Sequence, residues 1–334
     1  MKKNVKKLIG VALTIVSVIA SLTACGSASS SGGSKVSGGG VNIYYSVPDN
    51  DDTYRASLLA GIEEAANSSG ANLTTECCGN DTDAQAEMIK AAADSGKYDA
   101  IICRLVDTST ALQIEIAAGD LPVIYVNNEP KVDYLKEDKY VCVGSYEQDA
   151  GKFQAQYVWE KLGQPAALDI IILEGAKGHT GAMGRTNAVK YFFRDNGVDA
   201  NIVFMDFANW TDTEAYEKLN VFKMTGQNFD AIFCNNDTMA LGAIKWLKAN
   251  GYSTSDKLVA GVDATADGCA AVSAGDMFMT VLQDAAGQGA KAVEACIVLG
   301  KGGSIKEVEG ATEDLRYIWV PFVPVDASNV SQYM

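Results

Sequence analysis

Positive charge is scarce in this sequence. Lys and Arg number 27 against 42 Asp and Glu, leaving a formal net charge of −15. So acidic a chain is poorly suited to nucleic acid or to an anionic membrane surface, whose phosphates need Lys and Arg. Histidine is scarcer still, with His179 the single example. No nucleophile can be matched with a base along the chain, and no thiols, imidazoles or carboxylates gather at metal-ligand spacing. Gly175-Ala176-Lys177-Gly178 lacks the spacing and the Lys-Ser/Thr ending of a phosphate-binding loop. The adjacent Asp51-Asp52 pair does not define two carboxyls facing each other across a glycosidic bond. The expectation is a protein that is not an enzyme, needs no cofactor and holds no metal.

Long apolar runs are also missing, with one exception at the start. Lys2, Lys3, Lys6 and Lys7 precede an apolar stretch over 8–22. At roughly 15 residues that stretch suits the core of a signal peptide better than a bilayer span of about 20. It ends in Leu22-Thr23-Ala24-Cys25, which resembles a bacterial lipobox. The resemblance implies cleavage before Cys25 and acylation of that cysteine, so residues 1–25 read as lipoprotein signal. An ordinary signal peptide followed by a buried or disulfide-bonded Cys25 is the alternative. The Gly/Ser run over 26–40 cannot bury apolar surface and reads as a flexible linker. The rest of the chain is long enough for a large core split into two lobes.

Eight cysteines are present, seven of them after Cys25. Cys103, Cys142, Cys234 and Cys296 sit inside apolar runs, where a thiol behaves as a small hydrophobe. The adjacent Cys77-Cys78 pair fits neither a zinc site nor a redox motif. An odd set in an exported chain predicts mostly free thiols and a reducing or anaerobic habitat.

From residue 41 onward, short apolar runs alternate with helical patterns. Strands are predicted at 41–46, 71–76, 100–103, 122–126, 140–143, 168–173, 202–206, 231–234, 258–262 and 278–282. The clearest helix is 237–250, with Asp237 as N-cap, Leu241, Ile244 and Leu247 on one face, and Gly251 at the C′ position. Such alternation predicts α/β architecture, with parallel sheets covered on both faces.

In open sheets of this kind, ligands bind beyond the carboxyl ends of the strands. The residues there are rich in amides and carboxylates, with two aromatics. A sugar presents hydroxyls at its rim and C–H patches on its ring faces. Planar side chains with several hydrogen-bonding atoms can grip neighbouring hydroxyls in pairs, and aromatic rings can cover the faces. Unmatched polar groups in a dry pocket cost about 1–3 kcal/mol, which separates epimers. The candidates are Asp52, Asn127, His179, Arg185, Asn236, Asp263 and Gln283 for the rim, and Tyr54 and Trp210 for the faces. Each has a plainer reading. Asp52 and Asp263 could cap helices, Asn127 could stabilise a turn, and His179 could be an ordinary hydrogen-bonder. Arg185 could be a solvated charge and Trp210 could be core. Asp237 reads as a cap. Together, one such residue after nearly every strand is what a cleft requires.

At these residues the chain resembles the periplasmic galactose/glucose-binding proteins, within the wider ribose-binding and LacI-like group. The resemblance covers nearly all of 41–334. Its most specific stretches are Asn127-Asn128-Glu129-Pro130, Lys177 through Arg185, Asn209-Trp210, Asn235 through Ala243, Gly261 through Ala264, and Thr280 through Asp284. The ending from Val320 to Asp326 is similar too. The resemblance implies a type I periplasmic binding protein fold of two similar three-layer lobes, 41–145 with 285–310 and 146–284 with 311–334. Three crossings near Ser145, Asp284 and Gly310 would join them. It also implies roles. Asp52 would bond the far hydroxyl, Tyr54 and Trp210 would sandwich the ring, and the other candidates would bond the remaining hydroxyls. Tyr54 stands where the family usually has Phe, and Gln283 where it has Asn. Gly181 replaces an Asp that bonds the anomeric hydroxyl, a change that could admit a glycoside or a larger ligand. The family's carboxylate-rich calcium loop has no counterpart in 163–167, so no structural calcium is expected.

The function implied is capture of a monosaccharide, galactose, glucose or methyl-galactoside, for delivery to the permease subunits of an ABC importer. The protein would be a lipid-anchored, extracytoplasmic monomer. Presentation of ligand to a membrane receptor, or another ligand such as a pentose, inositol or glycoside, are the alternatives. A repressor core shares the fold, but the signal peptide and the lack of an N-terminal helix-turn-helix argue against it.

Overall fold

The computed structural model describes residues 39–49 and 53–334. The predicted signal, Cys25, most of the linker and Asp52 lie outside the described residues. The first sheet begins with β1 (Asn42–Val47) and β2 (Asn72–Cys77), joined by α1 (Thr53–Ser69). After α2 (Thr82–Asp94) come β3 (Ala100–Cys103), α3 (Ala111–Ala118), β4 (Val123–Val126) and β5 (Tyr140–Gly144). The chain then enters the second sheet through α4 (Glu147–Lys161) and β6 (Ala167–Glu174). It continues through α5 (Thr180–Asp195), β7 (Asp199–Phe207), α6 (Asp212–Lys223), β8 (Ala231–Cys234), α7 (Asp237–Ala249), β9 (Leu258–Ala260), α8 (Ala266–Ser273) and β10 (Met279–Leu282). Helix α9 (Ala285–Gly300) returns to the first lobe, and β11 (Tyr317–Trp319) and β12 (Val323–Asp326) follow.

The strand orders are β11-β5-β4-β3-β1-β2 and β12-β10-β9-β8-β6-β7. The two are the same pattern repeated, so the α/β two-lobe expectation holds. All pairings among the named strands are parallel except β10 with β12. Parallel strands connect through helices that cover both faces, which is why inner strands such as β3, β4 and β8 are apolar throughout, while the edge strands β2 and β7 are not. Successive side chains still point to opposite faces. In β1, Ile43, Tyr45 and Val47 join one core and Tyr44 the other. In β6, Ile171 and Leu173 face one core while Ile170 and Ile172 face its opposite.

The third passage between the sheets lies in the segment between Trp319 and Val323. Gly310 is not the crossing, because β11 follows it and still pairs with β5 in the first sheet. Residues 311–319 therefore belong to the first lobe. Gly310 has a different duty: its φ of +90° and its closeness to the Trp319 carbonyl leave no space for a side chain. The other two passages fall at Ser145 and at Gln283–Asp284, and Gln288 Nε2 donates to Ser145 Oγ at 3.0 Å between them.

Cys78, Cys103, Cys142, Cys234, Cys269 and Cys296 are buried free thiols, and Cys77 is an exposed one. Burial raises the thiols of Cys103, Cys142, Cys234 and Cys296, so they remain protonated and unreactive. Among the described residues, no helix is long and apolar enough to cross a membrane.

Candidate functional site

Eight of the nine predicted rim and face residues come together. Tyr54, Asn127, His179, Arg185, Trp210, Asn236, Asp263 and Gln283 line one cavity between the lobes. Asp52, the ninth, is outside the described residues. Arg55, Arg104 and Glu147 line the same cavity and were missed. The cause of the convergence is topological. Asn127 follows β4, Arg104 follows β3, Trp210 comes after β7, Asn236 after β8 and Gln283 after β10. All of these strands run in one direction in their sheets, so their carboxyl ends open on one side.

Arg185 is the centre of the second lobe's wall. It is buried, with only 4% of its surface exposed, which rules out a solvated helix-face charge. Its Nε donates to Glu147 Oε2 at 2.6 Å, its Nη1 to the Asn235 carbonyl at 2.6 Å, and its Nη2 to Gln283 Oε1 at 3.1 Å. Asp263 Oδ1 lies 3.6 Å from Nη1. Burial by itself pulls the guanidinium's proton affinity down. The Glu147 and Asp263 carboxylates outweigh that and hold it more firmly charged than usual. Five fixed donors on a planar group leave its neighbours little freedom to move.

His179 caps α5, its Nδ1 accepting from the Gly181 amide at 3.1 Å. That bond leaves Nε2 to carry the proton in the neutral ring. Burial, together with the Arg104, Arg185 and Arg55 guanidinium groups, pushes the imidazole down to about 3. His179 therefore works as a neutral donor. Its ring meets the Trp210 indole edge-on at 5.0 Å.

Trp210 is half-buried and lies against Gly175 so closely that a Cβ there would overlap the indole. Asn236 Nδ2 donates to the Trp210 carbonyl at 3.3 Å, while Asn236 Oδ1 accepts from the Met239 amide at 3.0 Å. Asn236, not Asp237, is thus the N-cap of α7; it has the extended backbone a cap needs, and Asp237 is the first helical residue. Asp237 is fully buried behind the site. Burial pushes its carboxyl up to about 7, against the lowering pull of Thr280 and Thr265, which donate to it. Asp263 does not cap α8 either, because Thr265 does.

On the first lobe, Arg104 Nε donates to Asn127 Oδ1 at 3.1 Å. Buried Gln85 holds the Arg104 carbonyl at 2.9 Å. Arg55 pairs with Asp49. Tyr54 is 8% exposed, and its buried hydroxyl has no hydrogen-bond partner among the described residues. Burial, and then the Asp263 and Glu147 carboxylates across the cavity, keep that phenol protonated. Backbone strain is concentrated here too. Asn127, Trp210 and Asp263 have φ of 64°, 69° and 114°, and their neighbours Asn209 and Ala264 have 47° and 50°. Each left-handed non-glycine residue costs about 1–3 kcal/mol and persists where the surroundings fix it, as at binding sites.

The wall combines acceptors (Asp263, Glu147), donors (Arg104, His179, Asn236), the two-way amides of Asn127 and Gln283, and two aromatic faces. Among the described residues it contains no Ser, Thr, Cys or Lys. Such a wall suits a small neutral polyol.

Comparison with known proteins agrees with the geometry. Residues 43–304 match the periplasmic binding protein domain, and the chain belongs to that family. The resemblance read from its motifs is correct at this level, and the family works outside the cytoplasm. The putative rhizopine-binding protein of Rhizobium meliloti is 33% identical over 289 residues, 85% of this chain and 89% of that protein. The D-galactose/methyl-galactoside-binding periplasmic protein of Haemophilus influenzae is 27% identical over 338 residues, 96% and 98% of the two chains. An ABC transporter solute-binding protein from Bacillus halodurans, solved with bound myo-inositol, superposes with a TM-score of 0.76 at 29% identity. That match covers 89% of this chain and 98% of the other. These relatives are binding proteins, and this chain is one as well, not an enzyme.

Proposed function

We propose that this protein captures a single six-membered cyclic polyol between its lobes and presents it to the membrane subunits of an ABC importer. D-galactose, D-glucose and myo-inositol are the specific candidates. The observation that carries the reading is the Arg185 constellation. Asp263, Glu147 and Gln283 are held around one buried guanidinium, with Trp210 and Tyr54 lining the same cavity. The relatives support it, since one is named for galactose and another was solved with myo-inositol. The unpartnered Tyr54 hydroxyl adds to it, because a ligand hydroxyl would supply the missing bond.

Ligand touching both lobes would favour the shut arrangement, and the importer would read that shut form. The tether we infer is lipid on Cys25, checked by labelled palmitate that should enter the wild type and not Cys25→Ser. Titration calorimetry with D-galactose, D-glucose, D-ribose, methyl β-D-galactoside and myo-inositol tests the ligand. One free six-membered polyol should bind at micromolar Kd or tighter and raise Tm. Binding of none of them would overturn the reading.

The neutral state of His179 predicts the pH behaviour. The folded protein gives this ring a proton only near pH 3, whereas an unfolded chain does so near 6.5. Its contribution to stability therefore falls as pH drops through about 6.5 toward 3. With the two lobes against it the ring is neutral, so His179 should add no step to the calorimetric Kd between about pH 8 and 5. A step near 6.5 that His179→Asn abolishes would show that the ring titrates normally, whereas one that persists belongs to another group such as Asp237, whose carboxyl burial pushes up to about 7.

A further inference from the structure

We propose that Glu147 is a specificity-determining residue that contacts the ligand, and that Gly181 and Gly184 exist to admit it. The inference rests on the polyol reading above and refines it. Glu147 opens α4 immediately after the first passage between the lobes, and its side chain is only 13% exposed. A Cβ on Gly181 would stand 3.2 Å from Glu147 Oε1 and 3.3 Å from its Cδ. A Cβ on Gly184 would stand 2.7 Å from Glu147 Cβ. The two glycines lie one turn apart on α5, on the face turned to α4, so together they form the slot in which this carboxylate sits. Helix α5 is held close along the same line, since a Cβ on Gly151 of α4 would overlap the Arg185 carbonyl.

The slot fixes the chemistry. Oε2 is committed to Arg185 Nε at 2.6 Å. Among the described residues Oε1 has only a long bond from Gln283 Nε2, at 3.4 Å, and Glu147 lines the cavity. A carboxylate held against a buried guanidinium is ionised and accepts hydrogen bonds without donating them. The ligand atom facing Oε1 must therefore carry a proton. Gly181 is then not a gap that admits a substituted ring position. The space is filled by a carboxylate arriving from the neighbouring helix, and it demands a free hydroxyl there. A methylated oxygen at that position would leave two acceptors face to face.

Glu147→Gln keeps the shape, and its unliganded Tm should stay within a few degrees. Calorimetry is run on wild type and variant with whichever of D-galactose, D-glucose or myo-inositol binds best, and with its monodeoxy and mono-O-methyl derivatives. The variant should bind the parent at least tenfold more weakly. One monodeoxy derivative should bind wild type and variant alike, because it lacks the hydroxyl that Glu147 accepts, and its O-methyl counterpart should be rejected by the wild type. Glu147→Asp, which keeps the charge but withdraws the carboxylate, should show the same pattern. If Gln at 147 costs nothing, or costs the same for every derivative, Glu147 acts only through Arg185 and the inference falls while the polyol reading stands. A wild type that binds none of the three parents removes the reading itself.

Discussion

Replacing Asp263 by alanine should weaken polyol binding by about 100- to 10,000-fold while leaving the unliganded protein folded. The side chain is 8% exposed and faces the cavity beside Arg185 Nη1. Ionised, it can accept from two neighbouring ligand hydroxyls. A hydrogen bond to a charged group contributes about 1.5–3 kcal/mol, so two give roughly 3–6 kcal/mol, and 1.4 kcal/mol is tenfold in Kd. Asp263→Asn keeps one acceptor and the shape, and should fall between the two at about 10- to 100-fold. The fold survives because the backbone at 263 is held by its own ladder: the Asp263 amide donates to the Val281 carbonyl at 2.8 Å. Arg185 also keeps Glu147, Asn235 and Gln283. Calorimetry with the best-binding polyol, paired with thermal melts, checks both halves. An alanine variant within threefold of wild type would mean that Asp263 serves Arg185 and not the ligand.

How much of this could be read from the sequence divides along physical lines. The inner strands of the two sheets were legible because a parallel strand buried on both faces is a short unbroken apolar run, and the exposed edge strands β2 and β7 were legible from their place in the alternation with helices. Strands β11 and β12 were not, since each is only partly buried and so lacks an unbroken apolar run, β12 contains Pro324, and their pairing partners lie far away in sequence. Missing β11 also moved the third crossing to Gly310. The site was legible wherever a polar residue directly follows a strand, as with Asn127, Asn236 and Gln283. By that rule Arg104, which comes straight after Cys103, was within reach. Glu147 was not. An acidic residue in the first turn of a helix is an ordinary partner for the helix dipole. Only the slot made by Gly181 and Gly184 distinguishes it, and that slot belongs to two packed helices rather than to either one. The same holds for Asn236 and Asp237. One residue separates cap from buried acid, and the backbone decides which is which.

Trp210 offers the second large effect. Removing its ring should weaken polyol binding by about 30- to 100-fold. A pyranose face and the indole together withdraw roughly 100 Å² of apolar surface from water, which at about 25 cal/mol per Å² is near 2.5 kcal/mol. Trp210→Phe, which keeps a smaller face, should lose less than tenfold. The unliganded fold should tolerate both, because a small or medium side chain is no worse than Trp at a φ of 69°. Loss of affinity in these variants would not by itself show that the ring touches ligand, since the Trp210 carbonyl also holds Asn236. Gly175 separates the two explanations. Its place beneath the indole leaves no space for a methyl group, so Gly175→Ala must push the ring toward the cavity without altering Trp210 itself. If the indole forms a wall of the ligand site, this variant should lose binding at least as severely as Trp210→Phe. Wild-type calorimetry from Gly175→Ala would mean that the ring can move freely without the ligand sensing it, and Trp210 would return to being part of the core it borders.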